Sequence, residues 1–243
     1  MLIKTVVVSF VIAISAWLMY ALIPAIIYKY RRDNSLFQFG IYGKKLLLTF
    51  DDGPDPEYTP QVLSILERYG IKAVFFLPTF KWEKYPELVE AIKATGHTIG
   101  MHSAAHRNPL LMDPISTNND IKQCLKAFAD KDEAAKFYRP PHGCVNMTIL
   151  RKIKKENITL LLWNICARDW LNRGEAAVFD SLRRQLTPGA IILLHDSGKD
   201  TGGEEGAPEC TVAALNRFIP MALSMGYSFI DPDKLVNSNE RTD

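Results

Sequence analysis

The sequence predicts an α/β domain built as an incomplete or distorted (β/α)7 barrel, preceded by one N-terminal transmembrane helix. Two observations predict this architecture. The first is an uncharged segment of 24 residues near the amino end. The second is the alternation of short apolar runs with amphipathic stretches past Asp33, which is typical of parallel strands joined by helical crossovers. An open doubly wound sheet is the competing architecture.

The uncharged segment runs from Thr5 to Tyr28 and predicts a membrane anchor. As a helix it would measure about 36 Å, enough to cross a hydrocarbon core of about 30 Å. The alternative is a cleaved signal peptide, for which the apolar stretch is too long and lacks a clear cleavage site. The chain therefore divides into an anchor over residues 1–32, a juxtamembrane linker over 33–44 and a globular domain over 45–243.

Seven apolar runs predict the strands: Lys45–Phe50, Ala73–Leu77, Thr98–Met101, Phe137–Arg139, Thr159–Trp163, Ala190–Leu194 and Ser228–Ile230. The clearest crossover helix has Thr59 as its predicted N-cap, Pro60 in its first turn and Gly70 as its stop. The other helices are predicted at Pro86–Ala94, Ser116–Ala129, Asn146–Lys155, Glu175–Gln185 and Thr211–Ser224.

The charge balance argues against a nucleic-acid-binding protein. The chain has 29 lysine and arginine residues against 27 aspartate and glutamate residues, but four basic residues and no acidic ones lie in the first 32 positions. The rest of the chain therefore carries a net charge of −2. This leaves no surplus positive charge on the globular part to attract a phosphate backbone.

Ionisable residues follow four of the predicted strands. The four segments are Asp51-Asp52-Gly53-Pro54, His102-Ser103-Ala104-Ala105-His106, Pro140-Pro141-His142-Gly143 and His195-Asp196. The carboxyl ends of parallel strands meet at one rim of a β/α fold, where active sites assemble. Four clusters at that rim predict one shared site.

The spacing of His102 and His106 places two imidazoles close enough to hold one cation. The spacing alone is a weak signal, because two ordinary core or surface histidines would also produce it. A carboxylate from Asp51 or Asp52 would complete a set of two histidines and one aspartate with open positions for water. Because adjacent acids repel, the pair indicates one metal-binding and one proton-transferring carboxylate, although the same residues also suit an ordinary turn.

Three further positions suggest the remaining chemistry. Arg139 is placed to pair with a carboxylate such as Asp51, or to form a structural ion pair at a strand end. The two prolines after it lack N–H donors, so the next amides that could face an oxyanion are those of His142 and Gly143. His195 leaves an apolar strand with an acid in reach, which suits a proton donor as well as a helix cap.

These segments resemble the motifs of the polysaccharide deacetylases, carbohydrate esterase family 4, whose catalytic unit is the NodB-homology domain. Five motifs occur in the order and spacing of that family: Thr49-Phe50-Asp51-Asp52-Gly53-Pro54, His102 to His106, Arg139-Pro140-Pro141-His142-Gly143, Arg168-Asp169-Trp170 and Leu193-Leu194-His195-Asp196. Five ordered motifs are far more specific than any one of them. The resemblance covers residues 45–235. It implies a distorted seven-stranded β/α barrel and the metal-dependent removal of N-acetyl groups from amino sugars.

The resemblance also implies a role for each matching residue. The implied metal ligands are Asp52, His102 and His106, with zinc as the first candidate and cobalt, nickel or manganese as alternatives. The implied catalytic residues are Asp51 as general base, Arg139 holding it, His195 as general acid and Asp169 orienting that histidine. The residues implied to bind substrate are Pro141, His142, Gly143, Trp170 and Leu193. Among these, an amide near His142 would meet the oxyanion, and Trp170 and Leu193 would line the acetyl pocket.

Two positions depart from the family pattern. An acid usually stands three residues before Asp169, and here the residue is Cys166. If that acid tunes the catalytic histidine, Asp169 serves alone or the activity is reduced. The second departure is His142, where tyrosine is common; its side chain either touches the substrate or has no role.

The leading hypothesis is a membrane-anchored N-deacetylase that acts on a β-linked N-acetylhexosamine glycan, with peptidoglycan as the first candidate. Chitooligosaccharides and a lipid-linked amino sugar are the nearest alternatives. A catalytically silent glycan-binding relative, and an amidase or O-deacetylase on the same fold, are alternatives of other classes. We expect the catalytic domain to be monomeric.

The side of the membrane on which the domain lies is less clearly marked. Lys4 precedes the predicted span and three basic residues follow it, Lys29, Arg31 and Arg32, which taken alone favours a cytoplasmic domain. The wall polymers on which the family acts lie outside the cell. Because a difference of three charges to one beside a single span is a modest bias, we expect a single-pass protein of the cell membrane with its catalytic domain outside.

Overall fold

Parallel strands form one curved sheet in a computed structural model that describes residues 2–31 and 33–235. The strands are β1 (Lys45–Asp51), β2 (Val74–Leu77), β3 (Thr98–Met101), β4 (Phe137–Tyr138), β5 (Thr159–Leu160), β6 (Ile165–Cys166), β7 (Ala190–His195) and β8 (Ser228–Phe229). Their order is β5-β4-β3-β2-β1-β7-β6, and β8 pairs with the beginning of β1. Within the described chain no pairing joins β5 to β6. The sheet is therefore a half-barrel, which confirms the incomplete barrel and not the doubly wound sheet.

Helices connect the strands and precede them. They are α1 (Leu2–Trp17), α2 (Ile23–Ile26), α3 (Thr59–Arg68), α4 (Thr79–Lys84), α5 (Pro86–Ala94), α6 (Pro114–Ala129), α7 (Met147–Lys155), α8 (Glu175–Gln185) and α9 (Ala207–Ser224). Helices α5 and α8 have their predicted bounds, and Asn146 caps α7 by accepting the N–H of Ile149.

Two elements were not predicted from the sequence, and one was predicted differently. Helix α4 has only six residues and strand β6 only two, too few to show a periodic pattern. The run Thr159–Trp163 was predicted as one strand, but β5 ends at Leu160 and the chain re-enters the sheet as β6 at the opposite edge. Thr59 is the first residue of α3 and not its N-cap, which is Tyr58.

The sheet is buried on both faces. The larger apolar cluster packs β1 residues Leu46, Leu48 and Phe50 against the crossover helices. A smaller cluster fills the concave side, where Leu47 meets side chains from β2, β4 and β7. Leu36, from the segment that the sequence predicted as a linker, is fully buried in this smaller cluster, and its N–H donates to the carbonyl of Gly189 at 2.7 Å.

The N-terminal apolar helix continues past α1 and lies against the rest of the chain. Residues Ile3–Tyr30 are long and apolar enough to cross a membrane. Wider π-helical turns flank α2, which contains Pro24, a residue that cannot donate to the regular helical ladder. Trp17 Nε1 donates to the carbonyl of Leu110 at 2.9 Å, and the Tyr20 hydroxyl donates to Thr148 Oγ1 at 3.1 Å. The second half of this helix is thus fixed to the domain.

Candidate active site

A cavity of about 320 Å³ opens where the strands end. Eight of the residues predicted for a site line it: Asp51, Asp52, His102, His106, His142, Trp170, Leu193 and His195. Four others do not line it, since Arg139, Asp169, Pro141 and Gly143 are buried around it. The clusters that follow separate strands therefore meet at one place, as the topology predicts.

The two adjacent carboxylates reach the same cavity because the backbone turns between them. Asp51 is the last residue of β1 and is in register with His195 of β7. Successive side chains of a strand point to opposite faces. Asp52 has a φ of 74°, in the left-handed region, which ends the strand geometry and lets both acids line the cavity.

Asp52, His102 and His106 form a group of facing ligand atoms. Asp52 Oδ1 lies 3.3 Å from Nε2 of His102 and 3.0 Å from Nε2 of His106. This oxygen is buried, yet no described residue makes a hydrogen bond to it. A buried carboxylate oxygen without a donor is costly, and two imidazoles with one carboxylate suit a divalent metal. The residues present therefore fit a metal ion.

Neighbouring groups orient these side chains and shift the pKa of Asp52. His102 Nδ1 makes a 2.7 Å hydrogen bond with the carbonyl of Arg139, which directs its Nε2 towards Asp52. Burial alone would raise the pKa of Asp52, but the two imidazoles hold it well below its usual value. Asp120 of α6 accepts from the Ser103 hydroxyl at 2.9 Å and from the N–H of Ala104 at 3.1 Å, which fixes the loop between the two histidines. No motif in the sequence indicates this role of Asp120.

Arg139 is fully buried and holds Asp51. Its Nη1 donates to Asp51 Oδ1 and to Thr49 Oγ1, each at 2.7 Å. Its Nε and Nη2 donate to the carbonyls of Leu161 and Leu162. These two carbonyls belong to the segment that connects β5 to β6, so the guanidinium supplies donors to backbone groups there.

His195 and Asp169 form a second buried pair. His195 Nδ1 lies 2.9 Å from Asp169 Oδ1, while Asp169 Oδ2 accepts from the His195 N–H and the Thr211 hydroxyl. Burial would lower the pKa of His195, but the Asp169 carboxylate raises it to about 9. The imidazole therefore carries a proton at neutral pH. Trp170 packs edge-on against it at 5.4 Å between ring centroids.

Asp196 is packed against the turn at Gly53, which follows Asp52. It is fully buried, and its Oδ2 accepts the Thr59 hydroxyl at 2.5 Å. Burial raises the pKa of Asp196 to about 7, against the lowering effect of that hydrogen bond. A Cβ on Gly53 would overlap the Asp196 carboxylate, so the close approach requires glycine at position 53.

The loop over Pro141–Gly143 holds an amide beside the group formed by Asp52, His102 and His106. The N–H of Gly143 donates to the carbonyl of Pro140, whereas the N–H of His142 has no acceptor among the described residues. Gly143 has a φ of 66°, and a Cβ there would lie 2.6 Å from Trp163 Cη2. The ring of His142 lies 5.3 Å from that of His106, and burial together with this neighbour lowers its pKa.

Several cavity residues were missed as site residues in the sequence. They are Lys29, Trp163, Thr201, Gly202 and Gly203. In the sequence, Lys29 is one of the basic residues that follow the predicted span, and Trp163 ends a predicted strand. The loop that contains Gly202 and Gly203 is linked to the site by the 2.8 Å hydrogen bond from the Glu204 N–H to the carbonyl of Trp170.

Comparison with known proteins identifies the family. The family model named polysaccharide deacetylase matches residues 42–161. The peptidoglycan-N-acetylglucosamine deacetylase of Bacillus cereus is 34% identical over 195 residues, which are 79% of this chain and 88% of that protein. The chain belongs to the polysaccharide deacetylase family.

Other members of the polysaccharide deacetylase family agree in sequence and fold. A chitooligosaccharide deacetylase of a Bradyrhizobium species is 29% identical over 191 residues, 76% of this chain and 87% of that protein. The crystal structure of a peptidoglycan N-acetylglucosamine deacetylase in complex with 4-naphthalen-1-yl-N-oxidanyl-benzamide superposes with a TM-score of 0.73 at 30% identity, over 79% of this chain and 87% of that one. The recognition from the five motifs is confirmed, and so is the prediction of a hydrolytic N-deacetylase. Deacetylases of this family use a divalent metal, and Asp52, His102 and His106 could hold one.

Replacing Gly143 with alanine should disturb the polysaccharide deacetylase site more than the same change at Gly40. Both glycines have positive φ, 66° and 71°, so either alanine is strained by about 1–3 kcal/mol. Of the two, only Gly143 places the new methyl group against a neighbour, Trp163. We expect G143A to lower kcat/KM by up to about 100-fold, because a small displacement of a site loop has that effect. G40A is the matched control, and equal losses of activity in the two variants would contradict this account.

Proposed function

We propose that this polysaccharide deacetylase removes N-acetyl groups from N-acetylhexosamine units of a glycan, with peptidoglycan as the first substrate. The observation that carries the proposal is the meeting of three groups around one cavity. These are a candidate metal-binding set, a carboxylate held by Arg139 and a protonated histidine held by Asp169. The similarity to a peptidoglycan deacetylase supports this substrate, and the similarity to a chitooligosaccharide deacetylase keeps short chitin oligomers as the second candidate.

Asp52, His102 and His106 would hold the metal, for which we propose Zn²⁺ because two imidazoles and one carboxylate are a usual ligand set for catalytic zinc. Cobalt, nickel and manganese remain alternatives. When bound, the metal lowers the pKa of a water molecule and polarises the acetyl carbonyl.

Asp51 acts as the general base in this proposal. Its Oδ1 is held by Arg139, and its Oδ2 lies 3.8 Å from His102 Nε2, on the side of the ligand group. Arg139 thus positions one oxygen and leaves the other to accept a proton from the attacking water. The water oxygen forms a bond to the acetyl carbon, and the carbonyl oxygen gains negative charge.

The loop and His195 complete the reaction. The N–H of His142 donates to the developing oxyanion, the task for which the free amide of this loop is suited. His195 then gives its proton to the sugar nitrogen as the carbon–nitrogen bond breaks, which releases acetate and a free amine. Leu193 and Trp170 supply apolar surface for the acetyl methyl group, and Pro141 and Gly143 fix the loop from below.

The N-terminal helix anchors the enzyme in the cell membrane in this proposal, with the catalytic domain outside. In this proposal the exposed residues 3–16 enter the bilayer, and the contacts of Trp17 and Tyr20 with the domain support a retained helix and not a cleaved signal peptide. Leu111 and Ile115 are 83% and 74% exposed near the Trp17 contact, which suits the surface of a bilayer. The burial of Leu36 favours a catalytic domain that begins within the predicted linker over 33–44.

Asp51→Asn should abolish acetate release and leave metal binding intact. The amide cannot accept the proton of water, and loss of a general base costs about 10²–10⁴-fold in rate. The measurement is acetate release from peptidoglycan and from N-acetylglucosamine oligomers by the detergent-solubilised chain, with and without chelator, beside metal analysis. D180N, a change in a half-exposed aspartate that pairs with Arg183 and lies away from the cavity, is the control. Full activity in D51N or in the presence of chelator would refute the proposal.

Asp169→Asn should move the alkaline limb of the pH profile of kcat to lower pH. His195 must be protonated to act as an acid, and its pKa of about 9 keeps it so until the pH rises through that value. Removing the carboxylate leaves burial, which lowers the pKa, as the dominant influence. A kcat that drops by the same factor at every pH would indicate a structural role for Asp169 instead.

Single cysteines on either side of the helix test its orientation. Lys4 and Glu57 are both exposed, the first in α1 and the second in the catalytic domain. With the domain outside, E57C on intact cells reacts with a membrane-impermeant thiol reagent, and K4C reacts only after permeabilisation. The unmodified chain gives the background from its four native cysteines. The opposite pattern places the domain in the cytoplasm.

A further inference from the structure

A second cavity of about 410 Å³ adjoins the catalytic one. Lys29 and Trp163 line both cavities, so they form the wall that the two share. Tyr30 is among the other residues of the second cavity, and its hydroxyl suits a sugar or another hydrogen-bonding ligand. A chain of sugars with one unit at the metal ligands has space to continue past Lys29.

The ammonium group of Lys29 is held at this wall. Its Nζ donates to the carbonyl of His142 at 2.9 Å and lies 5.9 Å from the ring centroid of Trp163. An ammonium has three donors, so the bond to His142 leaves two for a ligand. The N-terminal helix therefore brings a cation to the catalytic cavity from a segment outside the five motifs.

Within residues 2–31 and 33–235, no carboxylate forms an ion pair with Lys29. Asp33 also lines the second cavity, where its carboxylate accepts the N–H of Ser35 at 2.9 Å and keeps its negative charge. Cys166 lines that cavity too, and burial raises the pKa of its thiol, so it stays neutral. The other cation of the site, Arg139, is paired with Asp51.

We propose that Lys29 binds an anionic group of the glycan, a carboxylate or a phosphate, next to the sugar that is deacetylated. The substrate would then be an anionic amino-sugar glycan and not a neutral one. This inference rests on the proposed function and narrows its substrate class. The anion has two possible sources: the lactyl or peptide carboxylates of a peptidoglycan strand, and the phosphate that joins an amino sugar to a lipid.

A partly buried ammonium favours such an anion for two reasons. A charge-assisted hydrogen bond is about twice as strong as a neutral one, and the low dielectric of a cavity weakens the screening by water. A neutral glycan offers only hydroxyl and amide oxygens to the same ammonium. The difference between the two ligand types should therefore appear as a difference in KM.

The test compares kcat/KM of the full chain and of K29M, in detergent, on three substrates. These are a neutral chitooligosaccharide, a peptidoglycan oligosaccharide with lactyl carboxylates, and an N-acetylglucosamine phosphodiester of a short prenyl chain. We expect K29M to lose roughly tenfold more on one anionic substrate than on the neutral one, chiefly through KM. The anionic substrate that shows the loss identifies the source, and K29R should keep most of the preference.

Two features keep the result interpretable. Lys29 also holds the loop of His142, so K29M is expected to lower kcat on every substrate, and only the ratio between substrates reports anion binding. Lys44 is a matched control, since its Nζ donates to the carbonyl of Met225 at 2.9 Å and lies 5.6 Å from the ring of Tyr227, away from both cavities. K44M should leave the ratio unchanged.

The possible outcomes distinguish a failure of this inference from a failure of the proposed deacetylase function. Equal losses of kcat/KM on all three substrates in K29M, or an equal change of the ratio in K44M, would overturn the role of Lys29 while the deacetylase remains. Absence of acetate release from every substrate by the unmodified chain would overturn the proposed function, and this inference with it.

Discussion

Two adjacent carboxylates, Asp51 and Asp52, are buried side by side at the end of the central strand. Many of the surrounding contacts offset the free-energy cost of burying these two like charges. A buried charge without a partner costs several kcal/mol, and a second like charge beside it adds to the cost. Asp51 is matched by Arg139, and Asp52 by two imidazoles that suit a cation. Asp51 thus has a charged partner and Asp52 has imidazole partners, which keeps the two carboxylates chemically distinct.

The compensation extends beyond the acids. Arg139 is itself a buried charge, and its remaining donors need acceptors, which it finds in Thr49 and in the carbonyls of Leu161 and Leu162. These carbonyls belong to the segment between β5 and β6, so the guanidinium joins that segment to the buried ion pair. Backbone strain is concentrated in the same region, since Asp52, His106 and His142 all have positive φ.

The sequence predicted those parts of the site that depend on residues close together in the chain. Strand ends, the H-x-x-x-H spacing and the five motifs located most of the cavity, because residues that leave parallel strands must meet at one rim. Contacts between segments that lie far apart in the sequence could not be predicted from it. Asp120 supports the histidine loop from a helix whose pattern shows only an amphipathic face, and Lys29 reaches His142 across 113 positions. Strand β6 was missed because two residues carry no period. The role of the last residues, 236–243, lies outside the part of the chain that the structure describes.

The hydrogen bonds between the N-terminal helix and the domain also bear on how far the active site could extend from a membrane that holds the helix. A flexible tether of n residues extends over about 5–6 Å × √n. Here Trp17, Tyr20 and Lys29 are bonded to the domain and Leu36 is part of its core, so almost no free tether remains. With the helix in a bilayer, the active site would travel at a fixed height and search in two dimensions. It would modify glycans as they arrive at the membrane and leave the distant layers of a wall untouched.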